Sequence, residues 1–575
     1  MVWKLWHVPV LAILPCALAS GAPADDPSWI ARSKTGMVAS DSPGASRIGA
    51  DVLKAGGNAF DAAVATSFAL AAARPQSTGL GGGGFMVAYV AKENRFVALD
   101  FRETAPAGAT AERFARLHAE KGDGPSPSVY GGNAAATPGL VAGLAEINQR
   151  FGIRSLAELV KPAVELAETG FVVDEHFRQA CRGVLGDFEK WPTLKKHAKL
   201  LDIVLVNREP PAVGHKLKRP GFAKALGLIA EHGPAAVYDG PIGRAMVDAV
   251  QAAGGTLTMA DLRAYRVRER EPIHIRYVYS DYGIVSMPPP SSGGVCLVEI
   301  LNILQACSLR SDIHPVEGRA HVLVEAMKHA FADRARWLGD PDFCNVPLER
   351  LMGRQYAADL AWRISPRETL DPARYGDVTP APDDGGTSHF SVADRFGNIV
   401  ALTETINGTF GSLVFAEPYG IILNNEMDDF VTVRGQANLY GLVHSEANLV
   451  GPGKRPLSSM SPTIILKDGK PFLVLGASGG PRIISSVLQV ALGVMEGQSL
   501  QDAMTSLRLH HQWQPDEVFF DRQPPRELVE GLTQRGHKIS AERKTGVVQA
   551  IQLLEDGTMV GASDPRKGGR PAGVP

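Results

Sequence analysis

From Thr387 to Asp394, and again from Asn398 to Asn407, the chain alternates polar and apolar residues, and Arg395-Phe396-Gly397 links the two runs. A three-residue connection ending in glycine predicts a β-hairpin. With Asp394 opposite Asn398, the register carried back puts Thr387 opposite Thr405. Period-two alternation sets Thr403, Thr405 and Asn407 on one face. Two hydroxyls and an amide therefore converge at one end of the hairpin. A cross-strand Thr–Thr pair by itself stabilises a sheet by under about 1 kcal/mol. The pair Gly385-Gly386 directly before Thr387 opens a chemical alternative. Glycines tolerate a strained backbone, in which the Thr387 hydroxyl could attack the carbonyl that precedes it. A threonine made N-terminal by that cut carries its own base, because a free α-amine has a pKa of about 7.7–8.0.

A second nucleophile pattern competes with the first. Gly476-Ala477-Ser478-Gly479-Gly480 fits G-x-S-x-G between a predicted strand (Pro471 to Leu475) and a predicted helix (Pro481 to Met495), with Asp502 and His510 or His511 downstream. That is the setting of a serine nucleophile in an α/β-hydrolase. Such a fold needs parallel strands just upstream, and the preceding stretch reads as antiparallel hairpins. The glycine run 79–84 leads into a strand and lacks the Gly-Lys-Ser/Thr of a phosphate cradle. It reads instead as a place where two backbones come close.

The elements that must position these residues follow from periodicity and punctuation. Ser46 to Ala55 and Asn58 to Ala72 read as Ala-rich helices broken at Gly56-Gly57, with Asn58 as a cap. Residues 139 to 264 are mostly helical in pattern, and Arg319 to Trp337 is an amphipathic helix. The stretch 371–386, rich in Pro, Asp and Gly, predicts an exposed flexible loop. It divides a mainly helical first part from a β-rich second part.

Composition narrows the function classes. The 575 residues carry 59 Lys+Arg against 61 Asp+Glu, a net charge of −2, which argues against a nucleic-acid partner. Cys181, Cys296, Cys307 and Cys344 lack metal or redox spacing and read as buried thiols, one disulfide being the alternative. No metal and no cofactor is expected. Lys4 followed by the apolar run Val8 to Ala19 has the form of a signal peptide, with cleavage after Ala19, or after Ala24 as a second candidate. The run is too short to span a membrane, so an exported protein, periplasmic or secreted, is expected.

Gly386-Thr387-Ser388-His389-Phe390-Ser391-Val392, Asn424-Asn425-Glu426-Met427-Asp428-Asp429-Phe430 and Arg455-Pro456-Leu457-Ser458-Ser459-Met460-Ser461-Pro462 together resemble the γ-glutamyltranspeptidase family. Phe101-Arg102-Glu103-Thr104-Ala105-Pro106, the segment Pro75 to Met86 and the 476–480 glycine motif match its pattern too. The resemblance implies an α+β fold, the αββα sandwich of N-terminal-nucleophile hydrolases. It also implies a precursor that cuts itself into a large subunit (20–386) and a small one (387–575), which remain a heterodimer. Thr387 would be the nucleophile of both autocleavage and catalysis, supported by Thr405. Arg102, Ser458 and Ser459 would hold the α-carboxylate of a γ-glutamyl group, and Asn407, Glu426 and Asp429 its α-amino group. Gly479 and Gly480 would serve the oxyanion. The segment Arg434 to Val443, with Tyr440, resembles a lid over the pocket. The implied donors are glutathione and related γ-glutamyl compounds, with water, amino acids or dipeptides as acceptors. A glutaryl or cephalosporin-type acylase on the same fold is the alternative.

Overall fold

In the computed structural model the described residues are 26–276, 281–312, 318–376, 386–442 and 445–575. The expected signal peptide, most of the 371–386 loop and Val443 lie outside them. Two seven-stranded, wholly antiparallel sheets stack face to face with helices on both outer sides. This is the four-layered α+β arrangement expected. In the first sheet the order is Ala572–Gly573, Gly36–Ser40, Thr387–Asp394, Ile399–Thr405, Gly83–Val90, Arg95–Phe101 and Arg268–Arg270. The second runs Ile30–Ser33, Met559–Ser563, Val547–Leu553, Lys470–Ser478, Thr463–Lys467, Tyr282–Ser286 and Ile273–Arg276.

Alternation explains the layering. Val392, Val400 and Leu402 face outward onto the helix Ala59–Ala73, whose residues are buried on every side. A helix apolar all round can only be an interior one. Its start is fixed by Asn58, which accepts from the backbone N–H groups of Phe60 and Asp61 while Asp61 accepts from that of Asn58; such a capping box satisfies otherwise orphaned N–H groups. Ala393, Ile399 and Ala401 face inward and share a core with Leu473, Leu475, Val548 and Ala550 of the second sheet. Helices Gly293–Ser308 and Arg482–Met495 cover that sheet from outside.

The glycine run works as the sequence suggests. A Cβ on Gly82 would lie 2.1 Å from the Thr405 carbonyl oxygen, and one on Gly81 2.3 Å from that of Ile422. Only bare backbone lets these segments lie so close to the end of the 399–405 strand. The chain is pinned where it enters the 371–386 loop: Thr369 lies between Glu325 (2.6 Å) and Lys328 (2.7 Å), and Trp513 Nε1 donates to the Pro372 carbonyl at 2.9 Å. Cys181, Cys296, Cys307 and Cys344 are all free thiols. No helix among the described residues is long and apolar enough to cross a membrane.

Candidate active site

The hairpin has the expected register: Thr387 pairs with Thr405, and Ala393 with Ile399. The two threonine hydroxyl oxygens are 3.2 Å apart. Thr405 Oγ1 also donates to the Gly386 carbonyl oxygen and accepts from the Asn407 backbone N–H, each at 2.8 Å. A hydroxyl offers one proton and two lone pairs. With the proton on Gly386 and one lone pair on Asn407, Thr405 keeps a single lone pair, which makes Thr387 the donor between the two. The chain turns sharply after the strand: Asn407 has φ 69°. Its carbonyl oxygen accepts from the Gly386 N–H at 2.8 Å and from the Tyr440 hydroxyl at 3.0 Å. Thr403, expected on the same face, meets His389 Nδ1 at 2.8 Å and takes no part in the cavity wall.

A small cavity opens on this pair. Arg102, Asn407, Asp429 and Tyr440 line it, as do Ser458, Ser459 and Gly480. Glu426 and Gly479, expected with them, are not part of the wall. Glu426 is fully buried with its carboxylate 2.6 Å from Arg102 Nη1, and Gly479 precedes Gly480 in the turn that follows the 470–478 strand. Residues 426–429 form a single 3₁₀ turn. Residues three apart eclipse in such a turn, which is why Glu426 and Asp429 reach one guanidinium; Asp429 lies 2.5 Å from Arg102 Nη2.

Three carboxyl groups share that guanidinium, the third being Glu103 at 3.7 Å. Burial opposes the Arg102 charge, but Glu426, Asp429 and Glu103 outweigh it and hold the group charged. Burial pushes the Glu103 carboxyl up to about 7 and that of Glu426 well above the ordinary range, against the pull of Arg102. The cluster thus keeps a proton at neutral pH and has spare acceptors for a second cation. Arg334, which sequence reasoning missed, donates to Ser459 at 3.3 Å and Ser292 at 2.9 Å. Asn438 donates to Asp429 Oδ1 at 3.1 Å and accepts from the Tyr440 N–H at 3.0 Å, fixing the turn that presents Tyr440. A Cβ on Gly480 would stand 2.5 Å from the Tyr440 ring.

The Ser478 reading fails on geometry. Its strand lies between two antiparallel neighbours, not in a parallel sheet. His510 Nδ1 pairs with Ser485 Oγ at 2.7 Å, and His511 faces Asp516. The partner of Ser478 is instead Lys567, whose Nζ is 3.4 Å away. Lys567 gave no signal in the sequence, being one of three basic residues in the run Arg566-Lys567-Gly568-Gly569-Arg570 near the C-terminus. Among the described residues, His321, Glu325 and His537 form one buried group of metal-ligand type. Both nitrogens of His321 are bonded: Nδ1 is 2.7 Å from His537 Nε2, and Nε2 is 2.7 Å from the Ser365 carbonyl.

The sequence profile described as Gamma-glutamyltranspeptidase matches residues 45–574. The chain belongs to the γ-glutamyltranspeptidase family. It is 41% identical over 540 residues to the glutathione hydrolase proenzyme of Escherichia coli strain K12, covering 93% of this chain and 91% of that one. Among solved structures, the γ-glutamyltranspeptidase of Helicobacter pylori matches with a TM-score of 0.51 and 35% identity, over 58% of this chain and 93% of that one. A cephalosporin acylase from Bacillus halodurans matches with a TM-score of 0.81 and 27% identity, over 97% of this chain and 99% of that one. The fold is therefore shared by proteins described as a γ-glutamyltranspeptidase and as a cephalosporin acylase.

Proposed function

We propose that the chain is a self-cleaving precursor of a γ-glutamyltranspeptidase that hydrolyses glutathione and related donors. The observation that carries this reading is the Thr405 hydroxyl, bonded to the Gly386 carbonyl while it accepts from Thr387. In the precursor, Thr387 Oγ1 bonds to the Gly386 carbonyl carbon, which Thr405 polarises. The C–N bond to Thr387 breaks and its nitrogen takes the hydroxyl proton. Water then hydrolyses the resulting ester, leaving Gly386 as a carboxylate and Thr387 as a free N-terminus.

In the mature enzyme the same hydroxyl attacks the γ-carbonyl of the donor, and the α-amine receives its proton. Gly480, helped by Gly479, stabilises the oxyanion through backbone N–H groups. The amine returns the proton to the departing Cys-Gly nitrogen, and a γ-glutamyl ester remains on Thr387. Water releases glutamate from it; an amino acid or dipeptide makes a new γ-glutamyl amide. The donor's α-carboxylate goes to Arg102, whose planar fork suits it, with Ser458 and Ser459. Its α-ammonium goes to Asp429 and Asn407, with the Glu426 carboxyl behind. A glutaryl group lacks that ammonium, so the acidic cluster favours the γ-glutamyl reading over the acylase one. Tyr440 covers the site from the 434–443 segment. The two pieces stay together as a heterodimer, and the N-terminal run directs the protein out of the cytoplasm.

Denaturing electrophoresis with intact mass and N-terminal sequencing tests the reading. Two chains are expected, the smaller beginning Thr387-Ser388-His389, with Thr387→Ala giving one uncut, inactive chain. A wild-type protein that stays whole, or is cut elsewhere, overturns it.

A further inference from the structure

Lys567 is fully buried and has three polar contacts: Asp41 Oδ2 at 2.6 Å, the carbonyl oxygen of Thr387 at 3.1 Å and Ser478 Oγ at 3.4 Å. An ammonium has three N–H donors and no acceptor, so each donor has one partner and the orientation is fixed. Its backbone is equally well held. The Lys567 N–H donates to the Asp564 carbonyl, Asp564 pairs with Arg508 at 2.6 Å and Arg566 at 3.1 Å, and Arg566 binds Asp521. Asp41 also accepts from the Ser388 hydroxyl at 3.2 Å. The neighbours of Thr387 in sequence and across the sheet are thereby tied to one buried cation.

Resting on the nucleophile role proposed for Thr387, we infer that Lys567 is a positioning residue for that nucleophile: anchored by Asp41 and Ser478, its ammonium grips the Thr387 carbonyl and places a positive charge beside the Thr387 nitrogen. The nitrogen and carbonyl oxygen of one residue are three bonds apart. A cation 3.1 Å from the oxygen is therefore within about 6 Å of the nitrogen, the range in which a like charge disfavours protonation. The free amine must be unprotonated to take the hydroxyl proton, so the charge keeps it competent at neutral pH. Asp41, the counter-ion of Lys567 at 2.6 Å, is shared with Arg74 at 3.9 Å, and Arg74 is in turn 2.5 Å from Asp174. Lys544 donates to Gln179 at 3.1 Å, and burial together with Lys567, Arg74 and Lys544 keeps His176 neutral. Ser478 gains a role as the third ligand of the ammonium, though not the role its motif suggested.

The test compares Lys567→Met and Lys567→Gln, which remove the charge, with Lys567→Arg, which keeps it. Chain mass reports processing, circular dichroism the fold, and kcat/KM for a γ-glutamyl anilide is measured from pH 5 to 10. The acidic limb should move up by about one pH unit in each uncharged variant, with kcat at pH 7 falling about tenfold and donor KM little changed. Lys567→Arg should keep the wild-type limb. Folded but uncut Met and Gln variants beside a cut Arg variant also support the inference. A wild-type limb in either uncharged variant overturns it, as does a shifted limb in Lys567→Arg or failure of both uncharged variants to fold. Failure of the Thr387 reading would show separately, as wild-type protein not cut before Thr387.

Discussion

In the proposed reading Asp429 selects the donor, because it is the carboxylate that both lines the cavity and touches Arg102. Asp429→Asn should lower kcat/KM for a γ-glutamyl anilide by about 10–100-fold, the worth of a hydrogen bond to a charged group, while leaving the poor rate on a glutaryl anilide nearly unchanged. Equal losses on both substrates would remove the ammonium from its proposed place. A second residue prediction concerns Glu404, between Thr403 and Thr405 but facing the other way. It is buried against the Ser67 hydroxyl and Thr78 Oγ1, the latter at 3.0 Å, and burial pushes its carboxyl up to about 8 from 4.5. The folded state then holds a proton that the unfolded chain releases. This contribution is complete below about pH 4.5 and is lost as pH rises towards 8. Glu404→Gln should therefore flatten the fall in Tm between pH 5 and 8; equal slopes in variant and wild type would refute a buried, protonated Glu404. Thr387 and Thr405 were legible because strand alternation is local. Asp41, Arg334 and Lys567 were not, because each is an ordinary polar residue until the fold buries it next to something distant.

Strands and turns carry the next layer of precision. The 399–405 strand ends under the glycine run, and Gly82 is the tightest contact there. Gly82→Ala would drive a methyl group to 2.1 Å from the Thr405 carbonyl, so backbone has to move. A shift of about 1 Å at a reacting group can reduce rate by about 10²-fold; the variant should accumulate as precursor or lose that much activity. Normal processing and activity would mean that the strand end tolerates displacement. The sequence predicted the hairpin, its register and the Asn58 cap, since each depends on residues a few positions apart. Period-two reasoning placed Thr403 and Thr405 on one face, as they are, but it did not foresee that the strand ends at Thr405 and turns through Asn407, whose φ is 69°. Ser478 was a rival on local pattern alone: a strand–glycine–helix motif looks the same whether its neighbours are parallel or antiparallel, and the hairpin pattern upstream argued against it. Antiparallel pairing with 463–467 and 547–553 bears that argument out.

At the scale of the whole molecule, neither sheet belongs to one side of the proposed cut. Gly36–Ser40 is flanked by Ala572–Gly573 and Thr387–Asp394, while Ile399–Thr405 borders Gly83–Val90. In the second sheet, Ile30–Ser33 and Tyr282–Ser286 bracket four strands from the C-terminal part. Either piece alone would expose long unpaired edges, which invite aggregation. The cut enzyme should therefore elute as one species and melt in one transition, and the two segments produced separately should be insoluble; separate soluble pieces would contradict the interleaving. The same weave gives maturation a direction in time. While the peptide bond before Thr387 is intact, the two halves meet at a high effective concentration set by the linker, so an unfolded precursor can find its way back at a rate independent of dilution. Once that bond is gone, recovery requires a collision between two strangers, each prone to stick to its own kind. For the precursor, stability is an equilibrium; for the finished enzyme it is a lifetime.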